Sequence, residues 1–166
     1  MSGDAGTGEG TFTSKNSTLT ISSDSDYYKS APMFFVTNTD ASINLTNTKL
    51  SYGSDILLSA KGTSEWGNSG SNGGNVTLTA KNQTLKGNIT ADKISTVTIK
   101  MTSSDYTGTI NGDNSAEKIS LTLDSNSKIK LTGDSYVTSL SDSDSSYSNI
   151  DLNGYTLYVN GKALTK

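Results

Sequence analysis

Two groups of side chains in this 166-residue sequence have the types and spacing to do chemistry. The first is acidic. Asp24 and Asp26 share one Ser-rich turn, Asp142 and Asp144 share another, and Asp151 follows. Carboxylates this close, beside backbone carbonyls, are donors of the kind calcium takes six to eight at a time. Neither turn matches a known calcium loop, so solvated turn residues are the plainer expectation. The second group is aromatic. Trp66 stands beside Glu65 and Asn68 in a glycine-rich stretch. An exposed ring offers a sugar an apolar face, and neighbouring amides and carboxylates bind its hydroxyls. Tyr27, Tyr28, Tyr52 and Tyr106 are the candidates to extend that platform.

Catalysis is the weaker expectation. The sequence has no His and no Cys, and all 13 basic residues are Lys. Ser-His and Cys-His nucleophiles are therefore excluded, as are thiolate metal sites and disulfides. A glycosidase needs two carboxylates about 5–9.5 Å apart across one cleft. The paired Asp residues have no aromatic platform between them. With a net charge of −3 and a pI near 4.8, the chain lacks the clustered positive charge that nucleic-acid binding requires. No apolar run approaches the ~20 residues of a membrane-spanning helix.

The elements that must hold these residues are written in a repeat. Val76, Leu78, Leu85, Gly87 and Ile89 recur as Val97, Ile99, Tyr106, Gly108 and Ile110, always 21 residues on. Apolar and hydroxyl residues alternate inside each copy, the period of a strand with one face inward. Only 31% of residues are hydrophobic, which suits a thin core between stacked strands. The spacing predicts further rungs at Leu19, Ile43 and Ile119, with Leu19, Ile43, Val76, Val97 and Ile119 in one interior ladder. Ile43 to Ile56 repeats the 13-residue interval of Val76 to Ile89. Ile43 to Val76 is half a rung too long, and the surplus falls at 61–74, read as an inserted loop carrying Trp66. Residues 1–10 read as a flexible lead-in and 11–166 as one domain. Aromatic residues near the start are expected to plug one end, and two Asn-Gly turns within 150–166 predict a hairpin cap at the other.

The reading is all-β: a right-handed parallel β-helix with rungs of about 21–24 residues. The strings GNVTLTAKNQTLKGNITA, IKLTGDSYVTSL and IDLNGYTLYVNGKAL resemble right-handed parallel β-helix domains of bacterial surface proteins. These are the adhesin-like and clostridial-type carbohydrate-binding groups of pectate-lyase-like architecture. The resemblance implies attachment or polysaccharide binding at the cell surface, sometimes with calcium, and fixes no individual functional residue. The expected function is non-catalytic extracellular binding of a polysaccharide or cell-surface glycan by a monomer, with no cofactor required and calcium as the optional one. Any export signal lies outside this sequence. Three alternatives stand beside it. One is a purely structural stalk segment. Another is ice binding through an outward hydroxyl face built on Thr20, Ser22, Asn44, Thr46, Thr77, Thr79, Thr98, Lys100, Ser120 and Thr122. The third is a calcium-assisted lyase-like enzyme.

Overall fold

The computed structural model describes Met1 and residues 6–166. Every regular element among them is a strand. In chain order these are β1 (Gly8–Lys15), β2 (Thr18–Thr20), β3 (Phe34–Val36), β4 (Thr39–Thr46), β5 (Lys49–Ser51), β6 (Ile56–Ala60), β7 (Gly74–Lys81), β8 (Thr84–Lys86), β9 (Asn88–Ala91), β10 (Thr96–Thr102), β11 (Asp105–Gly108), β12 (Lys118–Leu123), β13 (Lys128–Leu131), β14 (Ser135–Val137), β15 (Ser139–Asp142), β16 (Ile150–Asp151), β17 (Leu157–Val159) and β18 (Lys162–Ala163). The widest sheet runs β1-β4-β7-β10-β12-β15, all parallel. A four-stranded sheet, β16-β13-β11-β8, and a separate pair, β2-β5, follow it along the chain. The remaining sheets are β3-β6-β9 and β14-β17-β18. The β17–β18 pair is antiparallel, across a turn at Asn160 and Gly161 whose φ values of 48° and 75° suit a tight hairpin.

Period-2 alternation explains why these segments pair as they do. In β7 and β10 alternate residues are buried, and Val76, Leu78 and Ala80 face Val97, Ile99 and Met101 in register. The same inward rows continue through Ile119, Leu121 and Leu123 of β12. The inward rows of the separate sheets meet in one apolar cluster, so each strand is stabilised both by its sheet neighbours and by the strands facing it.

The expected ladder is corrected at its start. Leu19 lies in β2 opposite Leu50, and Phe12 of β1 is the residue opposite Ile43. Ile43 in turn faces Leu78, and Val76 faces Ala41. The reason lies in β1 itself: GEGTFTSK places Gly and Ser at inward positions, so one apolar residue, Phe12, carries its signal. Regular structure thus starts at Gly8 rather than Thr11, while residues 2–5 of the expected lead-in fall outside the described residues. The 13-residue interval from Ile43 to Ile56 has no structural meaning, because Ile56 faces Asn88 and Leu58 faces Ile89 across a bulge. The 21-residue match from Asn75 to Thr96 holds throughout β7 and β10. Two connections are long, not one: the segment 21–33 between β2 and β3, and the segment 61–73 between β6 and β7.

The outward face of the widest sheet is polar. Thr11, Ser42, Thr77, Thr98, Ser120 and Ser139 form one uninterrupted hydroxyl row. The next row holds Thr13, Asn44, Thr79, Lys100, Thr122 and Ser141. Thr20 and Ser22 lie outside both rows, since β2 belongs to another sheet.

Candidate functional site

The predicted aromatic platform is not assembled. Trp66, 41% exposed, lies on the connection between β6 and β7, and Tyr27, 70% exposed, lies on the one between β2 and β3. The Asn72 amide pins the Trp66 loop by donating to the carbonyls of Thr63 (2.6 Å) and Trp66 (2.7 Å). Glu65 accepts a short bond from the Ser64 hydroxyl, which holds its carboxyl below the usual range. The Asn68 carbonyl accepts from both the Ser71 amide and its hydroxyl, closing the turn. Tyr28 is half-buried against Gly53. Tyr106 is a correction. It points inward between Leu85 and Ile129 at 2% exposure, and its hydroxyl donates to Thr109 O at 3.1 Å. Burial pushes that phenol well above its ordinary pKa. An alternating strand gave Tyr106 the register of Leu85, and that register puts it in the core.

The carboxylates are dispersed as well. Asp24 and Asp26 are exposed in the first long connection. Asp144 is already saturated: the amides and hydroxyls of Ser146 and Ser148 all donate to it, at 2.5–2.9 Å. The two hydroxyls, with the amides behind them, hold its carboxyl far below the ordinary value. Asp151 caps the Asn153 amide and meets Lys130 at 3.7 Å on the surface, where an ion pair contributes little. Asp142 differs. Its Oδ1 accepts from the Asp144 amide and the Asn149 side chain, while Asp142 Oδ2 and Asn149 Oδ1 are buried without a hydrogen-bond partner. Among the described residues no three acidic side chains converge as a metal cluster would require.

A concave site that the sequence reading missed lies where the second row of strands parts. β5 pairs with β2 and β8 pairs with β11, but β5 and β8 belong to separate sheets. On one side of the gap the chain is still joined, because the Asn47 amide donates to Lys81 O. On the other it rejoins where the Asn88 amide donates to Asp55 O. Between these two bonds seven residues, 48–54, span the gap on one strand while six, 82–87, do so on the other, so the longer path bows outward.

Two side chains brace the opening. Gln83, 3% exposed, takes the place of a peptide group: its Oε1 accepts from the Thr48 amide at 2.9 Å and its Nε2 donates to Thr48 O. At the far end the Tyr52 hydroxyl donates to Lys86 O. Burial, then the Asp55 carboxylate, pushes this phenol up to about 12, so it stays a donor at any ordinary pH. Behind the gap runs a buried polar ladder in which Thr48 donates to Ser14 Oγ, Gln83 N to Ser104 Oγ, and Ser104 N to Ser127 Oγ. Parallel strands turn successive residues to opposite neighbours. Lys49 N donates to Ser17 O and Ser51 O accepts from Ile21 N, so Leu50 turns its own N–H and C=O into the gap.

The result is a groove of about 720 Å³, lined by Asn47, Lys49, Tyr52, Asn82, Thr84 and Lys86 among others. Its rim carries a column of asparagines, Asn16, Asn47 and Asn82, all at φ near +50°, a conformation that Asn tolerates better than branched residues. Asn47 Nδ2 donates to Asn16 Oδ1 at 2.9 Å, which ties the first two together. Of the predicted platform residues, Tyr52 alone lines this groove. A second missed feature is the stacked pair Tyr136 and Tyr158, 4.7 Å apart and nearly parallel. No helix among the described residues is long and apolar enough to cross a membrane. Comparison with known protein families, with curated proteins and with solved structures finds no match for this chain.

Proposed function

We propose that the chain is a right-handed parallel β-helix that acts, without catalysis, as an extracellular carbohydrate-binding or adhesion domain, and that its ligand lies in the groove between β5 and β8. The observation that carries this reading is the parted sheet. It exposes backbone donors and acceptors at Leu50 and surrounds them with hydroxyls, amides, a tyrosine and two lysines. Sugars present hydroxyls in all directions, so they are held by many short polar side chains around an apolar patch, and this groove supplies both. Its bracing by Gln83 and Tyr52 gives the preorganisation that keeps ordering costs low.

Affinity electrophoresis and calorimetry over neutral and acidic polysaccharides test the proposal. Binding is expected from the wild-type chain. Lys49→Ala with Thr84→Ala should weaken it at least about tenfold, the equivalent of two lost hydrogen bonds. Trp66→Ala should change it less than about twofold, because Trp66 lies on a different connection. If the Trp66 variant loses binding and the double variant keeps it, the site belongs to the 61–73 loop. No binding across the panel ends the reading.

A second reading rests on the two buried acceptors, Asp142 Oδ2 and Asn149 Oδ1. Unpaired buried oxygens are costly, and a calcium ion between them would satisfy both. Asp144, Asp24 and Asp26 do not fit such a site: the first is saturated and the others lie in a distant turn. Calcium should then raise the melting temperature over a chelated sample by a few degrees, roughly as binding linkage gives at tens of times the dissociation constant. Asp142→Asn should remove that increment. An identical melt in calcium and in chelator rules the ion out.

A further inference from the structure

The two ends of the stack are finished differently. At one end β17 is covered by β18, and the edge strand of the widest sheet, β15, is four residues long. At the other end the edge strand is β1, eight residues long and paired on one side only among the described residues. Long, regular edges are templates for another strand. β1 holds no proline, no bulge and no inward-pointing charge, and its two charges, Glu9 and Lys15, stand near its ends on the outward face.

Which backbone groups face outward follows from the ladder. Gly8 N donates to Asn38 O and Asn16 N to Thr46 O, so the even-numbered residues of β1 face β4. Glu9, Thr11, Thr13 and Lys15 therefore turn their N–H and C=O groups to the free edge. Behind that edge the core is open. Phe12, Leu19, Met33 and Phe34 are half-buried around a cavity of about 450 Å³, with the Phe12 and Phe34 rings 6.0 Å apart. The aromatic residues expected to plug this end thus line an opening. Met1 covers part of it: its ammonium donates to Phe35 O, its carbonyl accepts from Thr37 N, and its side chain lies against Gly10. Gly10 is an inward position, so Met1 covers the cavity, and among the described residues the outer edge of β1 from Glu9 to Lys15 stays unpaired.

We propose that this end is a docking surface for a second copy of the chain, in which β1 pairs antiparallel with β1 of its partner about a two-fold axis at Phe12. The register is set by three constraints. Inward residues must meet inward residues, free-edge residues must meet free-edge residues, and the overlap must be greatest. Placing Phe12 opposite its own copy meets all three. Thr11 then pairs with Thr13 and Glu9 with Lys15, each pair exchanging two backbone hydrogen bonds, roughly eight in all. Both ends of the paired strand bring a carboxylate against an ammonium, which is the charge complementarity that selects a copy over an arbitrary partner. A two-fold interface is isologous, so it closes at two subunits and leaves no growing edge. The inference is independent of the groove, which lies on other strands.

Sedimentation equilibrium tests it directly. The wild-type chain is expected to show a concentration-dependent monomer–dimer equilibrium. Thr11→Pro with Thr13→Pro deletes two free-edge donors that the monomer does not use, so it should remain folded by circular dichroism and become monomeric. Glu9→Lys should weaken the dimer about tenfold, because a like-charge pair opposes pairing twice. Glu9→Lys with Lys15→Glu should restore it. A chain that is monomeric at every concentration overturns the proposal. So does a dimer indifferent to the proline pair, or a charge swap that fails to restore what the single change removed.

Discussion

Replacing Gln83 by alanine is expected to lower the unfolding free energy by about 3 kcal/mol, because it strands two backbone groups at once. The Thr48 N–H and C=O are both satisfied by the Gln83 amide, at a point where β5 and β8 belong to separate sheets. For a chain of this length that corresponds to a fall in melting temperature of about 9 °C. Gln83→Glu separates the two bonds. A carboxylate keeps the acceptor for Thr48 N–H but loses the donor to Thr48 O, and it places a charge where Gln83 is 3% exposed. Burial raises a carboxyl pKa in the folded state. The folded chain would then bind more protons than the unfolded one, so the variant's stability should rise as pH is lowered. Urea melts of the three proteins between pH 4 and about 7, where the wild-type glutamine does not titrate, check this. A Gln83→Glu protein whose deficit against wild type is the same at both ends of that range would show that the side chain is not holding the gap.

Gly73→Ala should cost as much or more. A Cβ at Gly73 would stand 1.8 Å from the carbonyl oxygen of Ile94, well inside contact distance, and the obstacle is main chain rather than a side chain that can rotate away. The backbone of one repeat would have to leave the other, which places the penalty at about 3 kcal/mol, the upper part of the range for overpacking. Gly70→Ala is the control. Gly70 has φ of +88° and nothing within 4 Å of the added carbon, so it should lose only about 1 kcal/mol to backbone strain. Equal losses at the two positions, measured by urea unfolding, would mean that the close approach of the repeats at Ile94 is not what fixes Gly73.

What was legible in the sequence is what repeats. Val76 with Val97, Leu78 with Ile99, and Leu85 with Tyr106 are all paired in register, and Ile89 bridges Ile110. Side chains on a strand obey a period of two, so alternation and a constant offset suffice to place them. β1 escaped because glycines at inward positions leave no alternation to read. The groove escaped for another reason. It depends on a difference in length between two stretches that carry no periodic signal, and on one glutamine mimicking a peptide group, which composition cannot reveal. Asn16, Asn47 and Asn82 are legible as letters, but their left-handed turns follow from a register that begins in β1, a strand with no apolar alternation. Trp66 is the sole tryptophan, but its connection between β6 and β7 does not line the groove.

The six parallel strands of the widest sheet carry a consequence for reach. Neighbouring strands lie ~4.8 Å apart, so β1 to β15 spans only about 24 Å. The same 166 residues wound as one helix would extend ~250 Å. Each added repeat of 21 residues would lengthen the molecule by less than a single turn of that helix. An architecture so poor in length per residue is an inefficient way to hold something at a distance. What each repeat adds instead is breadth: another row of outward hydroxyls, amides and lysines, fixed at a constant pitch against a rigid interior. The extent of that outward face is set by how many strands pair side by side, and the groove sits where two neighbouring stretches differ in length.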